Sequence, residues 1–208
     1  MNKLIAKSFL WMAIGLLVTF VTGYLANTSF NIMYALFTKK IYIVLVVIEV
    51  LMVIFLSARI HTMNSTAAKL AFLLYSLLTG FVFSAVFLVY SVSYVLFTFL
   101  IAAILFLFFG FFGYHTKLDL SKIGNILLMG LIGVILLEVL NILLFHGALN
   151  IILCIIFLLV FLGVTAWDLQ KLKYMGDDEN LAIYGALQLY LDFINILIVL
   201  LRLLSRRQ

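Results

Sequence analysis

Five charged side chains stand in or beside long apolar runs: Glu49, Glu138 and Asp192 lie inside them, and Arg59 and Asp168 lie at their ends. One charged group at the centre of a membrane helix opposes insertion by about 2.5–3.5 kcal/mol, so such residues by default line a cavity, an ion path or a proton relay. The alternative is a protonated carboxyl that hydrogen-bonds a neighbouring helix and only holds a bundle together. For each acid taken singly, both readings stand. Around Asp192 the pattern is richer. Tyr184, Gln188, Asp192 and Asn195 fall within about 80° of one another at 100° per residue and form one polar stripe on a helix. The opposite face carries Leu, Ile and Val, which suits a helix surrounded by others and able to line a conduit. Glu138 and Asn141, three residues apart, also share a face. Glu49 and Arg59 are separated by about 15 Å along a helix axis, so Arg59 is not a direct partner of Glu49.

The elements that position these groups follow from composition. Of the 208 residues 67% are apolar and 10% charged, against roughly 45–50% apolar in soluble domains. Mean hydropathy is +1.33. An ordinary soluble globule is excluded, and a polytopic membrane protein is expected. Continuous apolar runs fall at 8–25, 41–58, 70–90, 95–114, 125–145, 149–166 and 181–201. Each approaches the roughly 20 residues that a spanning helix requires. They are too long for the strands of a membrane barrel, so the fold expected is all-α, a single membrane domain over 1–208 with seven spans. The connections, 26–40 the longest, leave no room for a folded extramembrane domain. The first run, preceded by Lys3 and Lys7, lacks a convincing small-residue cleavage site and reads as a helix rather than a leader. There is no proline, so kinks must come from glycine or polar side chains. Gly15, Thr19 and Gly23, Gly110 with Gly113, and Gly130 with Gly133 are spaced to let helices approach closely. Cys154 is the sole cysteine, which excludes an intrachain disulfide.

A net charge of +5 in such a chain records orientation rather than nucleic-acid binding. With seven spans, Lys3, Lys7, Arg59, Lys69, Lys117, Lys122, Lys171 and Lys173 share the side of the N-terminus, and Lys39, Lys40, Arg202, Arg206 and Arg207 take the other. The excess places the N-terminus in the cytoplasm. The C-terminal arginines oppose this unless the last segment dips in and returns. Arg59 and Asp168 end their spans on the N-terminal side and are free to pair. A seventh helix starting at Leu181 sets Asp192 about 16 Å deep, and one starting near Leu187 about 8 Å deep. In the second register 181–186 is an interfacial lead-in, and Asp168, Asp192 and Arg59 meet in one cluster. Two carboxylates a hydrogen bond apart cannot easily both ionise, so that pair would titrate as a unit and act as a proton-sensitive latch.

Enzymatic readings find little support. His61, His115 and His146 are scattered at loop edges rather than clustered for a metal hydrolase. A retinal-binding lysine is absent from the last span, and no serine-protease motif stands beside a helical His. Asp177, Asp178 and Glu179 read as a solvated turn. Tyr42, Tyr90, Tyr94 and Trp11 read as interfacial anchors.

The segments Thr165-Ala166-Trp167-Asp168-Leu169-Gln170 and Ala186-Leu187-Gln188-Leu189-Tyr190-Leu191-Asp192-Phe193-Ile194-Asn195 resemble the signature of the transmembrane Bax inhibitor motif family. The run around Asp192 is the specific part; the first five spans match mainly in hydropathy. The resemblance implies a central seventh helix wrapped by the other six and a calcium-permeable leak responsive to pH. Asp168 and Asp192 would be the sensor and gate and the transient calcium ligands, with Arg59 as the latch of the closed state. Glu49 is a weaker carry-over as a lining residue, and Glu138, Gln188, Asn195 and Asn141 complete the ion-path candidates. No cofactor is expected, calcium being the permeant ion. The expected partners are the bilayer, calcium ions and a membrane protein such as a quality-control protease. The alternative to a leak is an interaction protein serving stress tolerance or cell-death control, its carboxylates structural. The minimal loops suit a bacterial member of the cytoplasmic membrane.

Overall fold

The computed structural model of the chain describes residues 3–38, 41–144, 150–176 and 178–205, without the side chains of residues 61, 135, 138–144 and 150. Regular structure is helical throughout these residues: α1 (Lys3–Thr28), α2 (Phe30–Thr38), α3 (Ile41–Arg59), α4 (Ser65–Val89), α5 (Val92–His115), α6 (Ser121–Leu144), α7 (Asn150–Lys173) and α8 (Glu179–Ser205). In hydrocarbon every backbone polar group must be satisfied within the segment, and a helix achieves this. The seven long helices overlie the seven apolar runs, most extending beyond them, α7 by seven residues to Lys173, while α4 ends at Val89, one residue short of its run. Six of them are long and apolar enough to cross a bilayer, and α6 adds the apolar stretch Ser121–Val134.

Two expectations change. The first connection, 26–40, is not a plain loop, because α2 occupies nine of its residues. Ser29 separates α2 from α1. Thr28 Oγ1 donates to the Leu25 carbonyl at 2.9 Å, the kind of side-chain competition that ends helices at Ser and Thr. Phe30 on Tyr34 and Phe37 on Tyr42 stack along it, with ring centroids 6.1 and 5.0 Å apart. The last span also shows no re-entrant turn among the described residues, and 181–186 are helical and continuous with it. It runs unbroken over 27 residues from Glu179, and Asp192 stands about 20 Å along its axis. Asp178 caps its start by accepting from the Asn180 amide at 3.0 Å, while Glu179, expected in a solvated turn, is already helical and pairs with Lys69; Asp177 lies outside the described residues.

The chain divides into two compact units, Met1–Val95 with Gly176–Tyr190, and Leu96–Met175 with Leu191–Gln208. In the first, α1 crosses α4 on glycines. A Cβ on Gly23 would stand 2.9 Å from the Gly80 carbonyl oxygen, and one on Gly80 would stand 2.6 Å from Thr22 Cβ. Larger residues would force the two backbones apart. Ser8 Oγ joins this unit's part of α8 by donating to the Ala182 carbonyl at 3.0 Å. In the second unit α5 meets α7 at Gly113, where a Cβ would lie 2.0 Å from the Ala166 carbonyl oxygen. The α6–α7 contact is set by Gly124 against the Trp167 ring and by Gly163 against Leu127. Phe193 packs on Phe99 and Phe106 of α5 at centroid distances of 4.9 and 5.5 Å. Gly130 and Gly133, expected to be contact glycines, have no described atom within 4 Å of a Cβ built on them.

Burial separates the spans by role. α3 buries 6% of its span and α8 61%, the largest share among the six. The exposed side chains of α3, such as Ile43, Val47 and Leu51, are apolar, as lipid contact requires.

Candidate functional site

Asp168 and Asp192 are both in the second unit, on α7 and on the C-terminal part of α8, and each is 4% exposed. The carboxyl of Asp192 lies within the electrostatic field of Asp168, and the Thr165 hydroxyl reaches it. Thr165 is one helical turn before Asp168 on α7, so the two side chains project on the same side. One oxygen of each carboxyl, Asp168 Oδ1 and Asp192 Oδ2, is buried with no hydrogen-bond partner among the described residues. Buried carboxyls are normally fully partnered. Two buried acids, one in the electrostatic field of the other and each with an oxygen unmet among the described residues, make up the candidate site.

Thr165 is committed within its own helix. Its Oγ1 donates to the Phe161 carbonyl at 2.8 Å. A hydroxyl has one proton, so towards Asp192 it offers a lone pair, and a bond between them takes its proton from the carboxyl. Lys171, one turn beyond Asp168, is the basic group whose charge acts on that carboxyl. The pair is fixed by packing on either side: Gly113 admits the α7 backbone beside Ala166, and Phe193 wedges α8 against α5.

The other predicted residues are placed as follows. Arg59 is exposed at the C-terminal end of α3, in the first unit. Glu49 is half-buried on α3 and acts electrostatically on Tyr42, Tyr75 and Tyr190 of the same unit. The Thr79 hydroxyl is near it but makes no hydrogen bond of normal geometry. Gln188 keeps a buried Oε1 without a partner among the described residues. Asn195 turns inward on its own helix, its Nδ2 donating to the Leu191 carbonyl at 2.8 Å. The side chains of Glu138 and Asn141 lie outside the described residues, as do that of His61 and all of His146. His115 bonds the Phe111 carbonyl at 3.0 Å. No three His, Cys, Asp or Glu side chains converge as a metal site among the described residues. The aspartate pair by itself holds fewer oxygens than the six to eight that calcium prefers.

Sequence reasoning missed a buried hydroxyl cluster in the first unit. Thr19 Oγ1 donates to the Ser76 carbonyl at 2.9 Å and lies 2.5 Å from the Tyr190 hydroxyl. Since Thr19 has one proton, Tyr190 donates to it. The Tyr190 ring stands edge-on to Phe72 and Tyr75 at 5.7 and 6.0 Å. Thr19 had been legible only as a small residue between two glycines, although its hydroxyl in an apolar helix was the available signal.

Known proteins place these observations. The chain matches, over residues 1–208, the family described as Inhibitor of apoptosis-promoting Bax1. It belongs to this Bax inhibitor family. The inner membrane protein YbhL of Escherichia coli K12 is 41% identical to it, over 98% of this chain and 91% of that protein. A Borreliella burgdorferi protein is 36% identical over 100% and 93%, and a membrane protein of Streptococcus pyogenes serotype M1 is 31% identical over 99% and 93%. The family match covers both aspartates and every helix of the chain. A membrane location fits this Bax inhibitor family member and its apolar helices alike.

Proposed function

We propose that this chain is a pH-sensitive, calcium-permeable leak of the bacterial cytoplasmic membrane, with its N-terminus in the cytoplasm, gated by Asp168 and Asp192. The observation that carries the reading is the buried pair itself, one carboxyl in the field of the other and each with an unpartnered oxygen. Loss of a proton from such a pair adds charge where water is excluded, and the protein answers by admitting a cation, by bringing up a basic group or by moving. Arg59 is the basic group assigned to the closed state, and Glu49 and Gln188 are the further candidates for the ion path. Calcium passes only if its binding is weak enough to release, which suits a pair of carboxylates better than a full coordination shell. No cofactor and no covalent chemistry are required.

The test is calcium flux into liposomes holding the purified chain, scanned across pH, beside Asp168→Asn, Asp192→Asn and Arg59→Gln. The wild type conducts with a pH response, the aspartate variants lose that response, and Arg59→Gln conducts where the wild type is closed. Folded protein that conducts at no pH would sink the leak. An interaction protein, bound to a membrane partner, would then stand in its place.

A further inference from the structure

At one end of the second unit, the α5–α6 connection and the last turn of α7 enclose a cleft of about 700 Å³. Its lining includes Lys117, Asp119, Trp167, Lys171 and Tyr174. The volume is in the range of small-ligand sites. Two features make it a built site rather than a gap between loops. The α5–α6 connection is tied down by Gln170, whose Oε1 accepts from the Leu120 amide at 2.8 Å and whose Nε2 donates to the Leu118 carbonyl at 2.7 Å. The floor is equally fixed, because the Trp167 ring lies against Gly124, where a Cβ would come within 2.2 Å of it.

The charge of the cleft is basic. Lys171 Nζ sits 5.5 Å from the Trp167 ring centroid, which holds the ammonium group at the cleft wall. Lys117 lines the cleft from the connection. Against these two lysines the lining holds one acid, Asp119, whose carboxylate accepts from the Ser121 amide at 3.0 Å at the start of α6, so the lining keeps a net positive charge. Just outside, Lys173 Nζ donates to the Tyr114 carbonyl at 2.9 Å and lies 5.0 Å from the Tyr114 ring centroid and 5.6 Å from that of Tyr174, which adds positive potential. An anion is therefore the complement.

The position chooses which anion. The cleft lies where α5 and α7, both long enough to span a bilayer, end together, so it opens at headgroup level. Leu118 and Tyr174 at its rim are 63% and 75% exposed, an apolar and an aromatic lip that suit the glycerol and acyl-ester region of a lipid. A small soluble anion would make no use of them. We propose that this cleft binds the phosphodiester headgroup of an anionic phospholipid, with Lys117 and Lys171 contacting the phosphate and Trp167 and Tyr174 forming its aromatic walls. Basic pockets between spans, on the side where lysines gather, take such headgroups.

The chain carries two tryptophans, so Trp11→Phe leaves Trp167 as an intrinsic reporter inside the cleft. This full-length protein, reconstituted in phosphatidylcholine vesicles, is titrated with brominated phosphatidylglycerol or with brominated phosphatidylcholine of the same chains, both of which quench indole at contact. The expected result is quenching at a lower mole fraction of the anionic lipid, a preference that falls about fivefold for each lysine removed in Lys117→Gln and Lys171→Gln. Lys122→Gln, a neighbouring exposed lysine outside the lining, keeps the preference and shows that surface charge alone does not set it. Equal quenching by the two lipids overturns the proposal, and so does a loss in Lys122→Gln as large as in Lys117→Gln. Inorganic phosphate, added against chloride at matched ionic strength, leaves the preference intact. If phosphate abolishes it, the occupant is free phosphate and the lipid assignment falls.

Discussion

Gly113 and Ala166 bring the backbones of α5 and α7 together so closely that a Cβ on Gly113 would lie 2.0 Å from the Ala166 carbonyl oxygen. Asp168 is two residues further along α7, so this contact also fixes the height at which one of the paired carboxyls stands. Gly113→Ala cannot be absorbed by a side-chain rotation, because the atoms it meets are backbone. It is expected to destabilise the protein by about 1–3 kcal/mol, the usual cost of overpacking, and to disturb the pH response of flux. Gly130→Ala, which meets no described atom within 4 Å, is expected instead to gain up to about 1 kcal/mol from helix propensity. Thermal unfolding of both variants in one detergent decides the matter, and equal effects would contradict the packing described.

The hydroxyl cluster of the first unit predicts a different asymmetry. Tyr190→Phe keeps the ring against Phe72 and Tyr75 and removes the proton donated to Thr19. A loss of about 1 kcal/mol is expected. Thr19→Val removes both the acceptor for Tyr190 and the donor to the Ser76 carbonyl, leaves the Tyr190 hydroxyl buried without a partner, and should cost more. Urea or thermal unfolding of the two single variants ranks them, and a reversed order would contradict the donor assignment.

Thr165 predicts a functional separation between two conservative replacements. Its proton is held by the Phe161 carbonyl, so its contribution to Asp192 is an acceptor lone pair. Thr165→Ser retains that lone pair and should keep the wild-type pH midpoint of flux. Thr165→Val, of nearly the same shape, should displace the midpoint by about half a unit to one unit, the equivalent of one hydrogen bond. Identical midpoints in the two variants would remove Thr165 from the site.

Outside the membrane spans, Asp119 provides a pH prediction of known sign. The Ser121 backbone amide, donating to its carboxyl, holds Asp119 below the usual aspartate range. A carboxyl depressed by folding contributes stability above its unfolded value and loses it as pH falls through the folded value. The first turn of α6 should therefore be firm at neutral pH and loosen as the solution is acidified below about pH 4. Hydrogen exchange at the Ser121 amide reads this directly. Asp119→Asn keeps an acceptor oxygen and should abolish the pH dependence.

The sequence by itself determined the class, the number of long helices and where they lie. Unbroken apolar runs leave the backbone no solution in lipid other than a helix, and their lengths match the bilayer. It also singled out Glu49, Glu138 and Asp192, because an acid inside an apolar helix is costly enough to need a reason, and the family resemblance set Asp168 beside Asp192. Tertiary structure decided which polar groups meet. Glu49 and Asp192 look alike in sequence, yet Glu49 stands half-buried near Thr79 while Asp192 is 4% exposed and in the field of Asp168. Likewise Gly113 and Gly130 carry the same local signal, and one touches a helix while the other touches nothing described. Spacing along a helix fixes the face a residue occupies, but what lies opposite that face depends on how the helices cross, and this is set by side-chain packing between residues far apart in the chain.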